Sequence, residues 1–403
     1  MKLLTPNEIR AKIHDDELID LVSDLIRIPS HAQIADQEKQ VGQFLVEWCQ
    51  NQKIDVERQE VGEGRFNVIA MVPGHAPQKS KRRLRLMFNG HLDTVPPSAQ
   101  MQIDPYGATL TQGRIYGRGA VDMKGGLGAM AYALKLVQES GVHLNGDLML
   151  AAVVGEETGG HGTHRLVAQG PQADLAIVGE PTDLQILVAH KGVERFSVIV
   201  KGLAAHGSSP ERGVNAISQA AKLITAIDEQ LIPKLREQHH PMLGYPTLNI
   251  GTICGGTSRN TVPDRCVFQV GKRWLPGDSV EKIYRDFQDL VDRLKEMDPS
   301  LEVEIEREAY LTEIPHPPFE IPIDHPLVQT LRRSILEVTG REPAYQGMPF
   351  CTDASILSSG GVPTVVLGPG SYQQAHGDSE HIDVKQLLDA TCIYSLVALK
   401  LLT

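Results

Sequence analysis

Five short polar stretches carry the residue types that bind divalent metal and move protons. They are Asn89-Gly-His91-Leu-Asp93, Gly117-Arg-Gly-Ala-Val-Asp122-Met-Lys-Gly-Gly126, Gly155-Glu156-Glu157-Thr158, Gly179-Glu180-Pro181 and Ala375-His376-Gly-Asp-Ser-Glu380. Imidazole and carboxylate are good zinc ligands, and one shared carboxylate can clamp two metal ions that each take further ligands. The sharpest signal is Glu156-Glu157. Two adjacent carboxylates at the end of an apolar run repel each other in a dry site, and a cation resolves the conflict. One can then ligate while the other, pointing away, acts as a base towards water. The competing reading is a solvated helix start with acids at its positive end.

The other stretches also admit two readings. Residues i and i+2 of a strand face the same way, so Asp93 can orient a ligand imidazole; a capped turn would look the same. The glycine-rich Gly117–Gly126 stretch precedes a helical pattern and invites comparison with a phosphate cradle. The spacing GxxxxGK[ST] is absent, however, and Lys124 precedes Gly125 rather than following it. Glycines there would let backbone pack closely around a metal carboxylate. Glu180 and His376, each taken alone, are ordinary loop residues.

A second set lies in the middle of the chain: His206 in Ala204–Pro210, Asn260 in Gly255–Pro263 and Arg273 in Arg273–Gly277. Together they can bind a substrate carboxylate or stabilise an oxyanion, although turn residues and a surface arginine are equally consistent. Lys191 reads as a surface or strand-edge residue. His161 and His164, and the polar-flanked His14, His143, His239 and His240, read as non-ligands.

The elements that must position these groups are visible as apolar runs. Leu84–Phe88, Leu148–Val154, Leu175–Val178 and Pro363–Leu367 each end at glycine or a polar cluster, as strands covered on both faces do. Helical spacing of Leu127, Met130, Leu134 and Val137 lies between them, and strand–helix alternation predicts an α/β domain. Ligands of such sheets gather beyond the carboxyl ends of the strands, which is where the polar clusters fall. Between 195 and 306 the order becomes strand–helix–strand–strand–helix–strand, the split βαβ pattern of a small α+β domain. We expect an insert at 187–308, with 1–186 and 309–403 forming the larger domain and the Pro-rich 314–322 as the return linker.

A chain of 403 residues is long for one core. Its net charge of -11 disfavours nucleic acid and anionic membrane as main partners. The opening Met1–Pro6 leads into charged sequence rather than a leader's apolar core, and no run reaches the roughly 18 apolar residues of a membrane span. Five scattered cysteines form no disulfide framework or CxxC pair, so a cytoplasmic setting is expected.

Taken in order, Asn89–Pro97, Gly117–Gly126, Gly155–Gly160 and Gly179–Thr182 resemble the acetylornithine deacetylase, succinyl-diaminopimelate desuccinylase and carboxypeptidase G family of zinc hydrolases. Lys191-Gly192, the His206 and Asn260 stretches and Ala375–Glu380 continue the resemblance over nearly the whole chain. It implies an α/β zinc-peptidase-like catalytic domain with a mixed central sheet flanked by helices, plus an inserted ferredoxin-like α+β lid and dimerisation domain. It implies two Zn2+ ions, with Co2+ or Mn2+ able to substitute. Asp122 would bridge them, with His91 and Glu180 completing one site and Glu157 and His376 the other. Glu156 would be the general base, Asp93 the partner of His91, and His206 would reach the active site of a second subunit in a homodimer. Asn260 and Arg273 would hold substrate, and Thr352-Asp353-Ala354 resembles a stretch near the substrate in the deacylases. The expected reaction is hydrolysis of the amide of an N-acyl amino acid. A dipeptidase or carboxypeptidase is the alternative within the family, and a metal-free binding protein the alternative outside it.

Overall fold

The computed structural model describes residues 4–62, 64–75 and 83–403. The opening Met1–Leu3, read above for a leader, lies outside them. The chain forms two compact units: Met1–Val188 with Ile321–Gln346 and Thr352–Thr403, and Ala189–Glu320 with Gly347–Cys351.

The first unit is built on a mixed sheet. Seven of the sheet's nine strands are β1 (Asp55–Gly62), β2 (Arg65–Val72), β3 (Arg85–His91), β4 (Asp147–Val153), β5 (Leu175–Val178), β6 (Ile186–His190, of which 186–188 belong to this unit) and β7 (Thr364–Val366), in the spatial order β1-β2-β4-β3-β5-β7-β6. The central β4, β3, β5 and β7 run parallel, whereas β1 and β2 join antiparallel at one edge. Parallel strands are covered on both faces, and this accounts for their apolar runs: every residue of β4 is buried. The covering helices Gly125–Glu139 and Val384–Leu402 pack together and are apolar nearly all round. Register puts His91 beside Val153 and Asn89 beside Val178, so β3, β4 and β5 all end at one edge of the sheet.

The second unit is a four-stranded antiparallel sheet in the order 247–255, 265–274, 192–201, 302–307. Helices Ala216–Ala226 and Val280–Met297 close its core with Phe196, Val198, Leu223, Phe268, Phe287 and Leu290. This is the ferredoxin-like order expected of the split βαβ pattern. The unit runs past 308 to Glu320, because most of the segment expected to be the return linker pairs with it. Val193 donates to the carbonyl of His316 at 2.9 Å, and Phe319 pairs with His190. The segment 347–351 joins the unit through the Lys191 amide, which donates to Met348 at 3.1 Å. Among the described residues no helix is long and apolar enough to cross a membrane.

Candidate metal centre

The sheet edge where β3, β4 and β5 end collects the predicted ligands, all within the first unit. His91 is the last residue of β3 and is 1% exposed. Its Nδ1 lies 2.8 Å from the carbonyl oxygen of Asp93. A carbonyl can only accept, so Nδ1 carries a proton, and in the neutral ring Nε2 is left with its lone pair. That Nε2 faces Asp122 Oδ1 at 3.0 Å and Glu180 Oε1 at 3.7 Å. A lone pair facing two carboxylate oxygens is repulsive unless a proton or metal ion lies between them.

His376, on the loop after β7, makes the matching half. Its Nε2 faces Asp122 Oδ2 at 3.3 Å and Glu157 Oε1 at 3.0 Å. Asp122 therefore directs one carboxylate oxygen towards each imidazole. Ligand atoms bound at about 2.0–2.2 Å in a tetrahedral array stand roughly 3.4 Å apart, which the observed gaps bracket. Two ligand groups emerge on distance, His91 with Asp122 and Glu157, and His91 with Glu156 and Glu180. Glu156 is thus near enough to ligate, and distance alone does not separate that role from a base. His161, His164, His14, His143, His239 and His240 belong to neither group.

The backbone explains how the site is shaped. Gly155 has φ +74°, which turns the chain sharply after β4 and presents Glu156 and Glu157. A Cβ on Gly126 would lie 2.4 Å from the Gly179 carbonyl, so only glycine lets the Asp122 segment lie against the Glu180 turn. Asp93 stands beside His91 as expected, its Oδ1 3.6 Å from Nδ1, and has a second role. The strand ends at His91, so the two-residue alternation no longer applies beyond it. The carboxylate of Asp93 also accepts from the amides of Glu156 at 3.1 Å and Glu157 at 3.0 Å. The Asp93 backbone carbonyl makes the closer contact with His91 Nδ1, and its carboxylate faces the same nitrogen.

The electrostatics describe a site short of positive charge. Burial, then the nearby Glu180, pushes the Glu156 carboxyl well above its usual range; burial, then Asp122, does the same to Glu180. Burial opposes protonation of His91, yet Glu180, Asp122 and Asp93 outweigh it and drive its pKa well up. Hydrogen bonds to Asp122 and Glu157 raise His376 to about 10. Burial opposes ionisation of Asp122, but its bonds to His376 and His91 hold it below its ordinary value. Acids that resist ionising beside imidazoles that hold protons are what cation-binding donors look like without their cation, and bound divalent ions invert this logic. The donor set fits a dinuclear centre.

Several residues here escaped the sequence reading. Asp353, noted only as part of a resembling stretch, is buried, accepts from Thr163 Oγ1 at 2.6 Å, and is pushed by burial up to about 6. Lys124, considered only for phosphate, is buried and donates to the Ile28 carbonyl at 2.6 Å; burial pulls its ammonium down to about 7. Arg118 and Glu380, both within quoted stretches, form a buried ion pair at 2.5 Å.

The remaining candidates lie in the second unit. His206 is exposed, with Nδ1 2.7 Å from Ser208 Oγ, and Gly207 donates to the Asn260 carbonyl at 2.7 Å, so the two loops meet. Arg273 stands near the far end of strand Arg265–Trp274, about 26 Å of extended chain from its start. Arg273 and the Asn260 loop thus flank opposite ends of that strand. Arg273 is half-buried, and burial with the neighbouring Arg195 lowers its pKa. Lys191 is a correction: it is buried, not on the surface, because its Nζ reaches the Tyr245 carbonyl.

Residues 87–400 match the family described as Peptidase family M20/M25/M40. The chain is 28% identical over 425 positions to N-formyl-4-amino-5-aminomethyl-2-methylpyrimidine deformylase of Halalkalibacterium halodurans, covering 97% of this chain and 96% of that protein. It is 32% identical over 378 positions to acetylornithine deacetylase of Proteus mirabilis, covering 91% and 92%. Among solved structures it is similar to aminopeptidase PepT from Bacillus cereus, with a TM-score of 0.77 and 24% identity over 96% of this chain and 99% of that one. That last likeness is one of fold.

Proposed function

Because this chain belongs to peptidase family M20/M25/M40 and is a metallohydrolase acting on amides, we propose that it hydrolyses the amide of an N-acyl amino acid, as acetylornithine deacetylase or succinyl-diaminopimelate desuccinylase does. The observation that carries the reading is the division of the Asp122 carboxylate between His91 and His376. In the proposal His91 and Glu180 hold one Zn2+, Glu157 and His376 the other, and Asp122 both. The ions, when bound, polarise the amide carbonyl and make water nucleophilic near neutral pH.

The chain's own residues do the rest. Glu156 takes the proton from the attacking water and passes it to the departing amine, so that the products are a carboxylic acid and an amino acid. Asp93 fixes Glu156 and Glu157 through their amides. We place His206 of the partner subunit at the oxyanion of a homodimer formed through the inserted domain, and Arg273 or Asn260 at the substrate carboxylate. The separation of the last two along one strand supports drawing them from different copies. A cytoplasmic setting belongs to the same proposal, supported by five free cysteines.

The test is a substrate screen on metal-loaded protein. Release of acetate from N-acetylornithine, or succinate from N-succinyl-diaminopimelate, supports the proposal. Cleavage of dipeptides alone replaces it with a dipeptidase or carboxypeptidase.

A further inference from the structure

His376 sits in an unusual backbone state. Its φ of +62° lies in the left-handed region, which a residue with a Cβ occupies only when its surroundings hold it there. The holding contact comes from behind the site: Arg118 Nη2 donates to the His376 carbonyl at 3.4 Å. Arg118 is 1% exposed, and its Nη1 donates to Glu380 Oε2 at 2.5 Å. The other oxygen of Glu380 accepts from the amides of Val121 at 3.1 Å and Asp122 at 3.2 Å. One buried ion pair thus grips the backbone of two candidate ligands that are far apart in sequence. His91 and Glu180 are held differently, by the ends of β3 and β5, and neither bonds to Arg118 or Glu380.

We propose that Arg118, anchored by Glu380, is a positioning residue which sets the metal affinity of the His376–Glu157 site more than that of the His91–Glu180 site, because its contact with the His376 carbonyl is particular to the former, whereas the hold of Glu380 on the Asp122 amide is common to both. This rests on the dinuclear reading above. Arg118 never touches a ligand atom; it acts by fixing the main chain that aims the imidazole. Second-layer partners of metal ligands typically carry about 10–100-fold in affinity.

The discriminating variant is Arg118→Lys. Lysine keeps a positive charge beside Glu380 but lacks the planar fork that reaches the His376 carbonyl at the same time. Metal-free protein is titrated with Zn2+ against a competing chelator, with ions per chain counted by mass spectrometry. The visible spectrum of the Co2+ form reports site geometry, and a thermal melt reports folding. The expected result is a first ion bound as in the unaltered protein and a second weakened about 10–100-fold, with a changed Co2+ spectrum. Glu380→Gln, which keeps an oxygen for the two amides, should do the same and carries the test if Arg118→Lys does not fold. A folded variant that binds both ions as tightly as the unaltered chain, or loses both equally, overturns the inference while the dinuclear reading stands. Failure of the unaltered chain to take up two ions overturns that reading and this inference together.

Discussion

Replacing Asp93 by asparagine exchanges one carboxylate oxygen for an NH2 group and changes little else. Asp93 is 2% exposed, and each of its oxygens accepts one backbone amide, from Glu156 and Glu157. Hydrogen bonds to a charged acceptor contribute about 1.5–3 kcal/mol each, and neutral ones nearer 1. Asparagine keeps one acceptor, now neutral, and turns a donor towards the other amide. Relief of repulsion among the surrounding acids offsets part of that loss, so Asp93→Asn should destabilise the metal-free protein by about 2 kcal/mol. The Glu156 turn should loosen, and a shift of about 1 Å in a reacting group lowers kcat by about 10²-fold. The first metal ion should bind almost as before, because the closer partner of His91 is the backbone carbonyl of Asp93, which the substitution keeps. Urea unfolding of the metal-free variant, metal titration and kcat on one preparation test all three. Unchanged unfolding with a 10–100-fold weaker first metal would refute the reasoning and make the Asp93 carboxylate the main support of His91.

Glu156→Gln should retain two ions per chain and lose most turnover; loss of an ion would instead make Glu156 a ligand, as its grouping with His91 and Glu180 allows. His206→Ala should lower kcat by about 10²-fold with both metals in place, and an unchanged kcat would remove it from the mechanism. In the second unit, the buried Lys272 meets no hydrogen-bond partner among the described residues, and burial lowers its pKa from 10.5 to about 8. Its folded pKa is below the unfolded one, so the unfolded chain binds more protons between about pH 8 and 10.5, and stability rises with pH across that window. The charged form costs the fold roughly 3 kcal/mol below it. Lys272→Met should therefore stabilise the protein by about 1–3 kcal/mol at pH 7 and flatten that part of the stability profile; an equal or lower unfolding midpoint at pH 7 would contradict this.

The cluster of candidate ligands was legible because each member follows a buried parallel strand or lies in a glycine-rich loop, and both leave a mark in sequence. His91, Glu157 and Glu180 follow three such runs, and the register of β3 with β4 and β5 does the rest. Strand β1 carried no comparable signal, since it lies at the sheet edge and no residue in it is fully buried. What could not be read were contacts between distant segments. Glu380 reaches Arg118 across 262 positions, and Lys191 reaches the Tyr245 carbonyl across 54. Asp93 reads as the partner of His91, which its carboxylate does face, but its bonds to the Glu156 and Glu157 amides could not be foreseen. The separation of Arg273 from Asn260 did have a signal. The largely apolar run from Cys266 to Val270 lies between them, as a strand that holds them apart along the chain would.

The most direct test joins metal and activity on a single sample. Protein purified without chelator is stripped, then refilled stepwise with Zn2+, and ions per chain are counted while acetate release from N-acetylornithine is measured. The account predicts uptake of two ions per chain, with hydrolysis appearing as the sites fill and lost again on chelation. A chain that takes up no Zn2+ and stays inactive in excess metal would contradict it, and the acids around Asp122 would need another purpose.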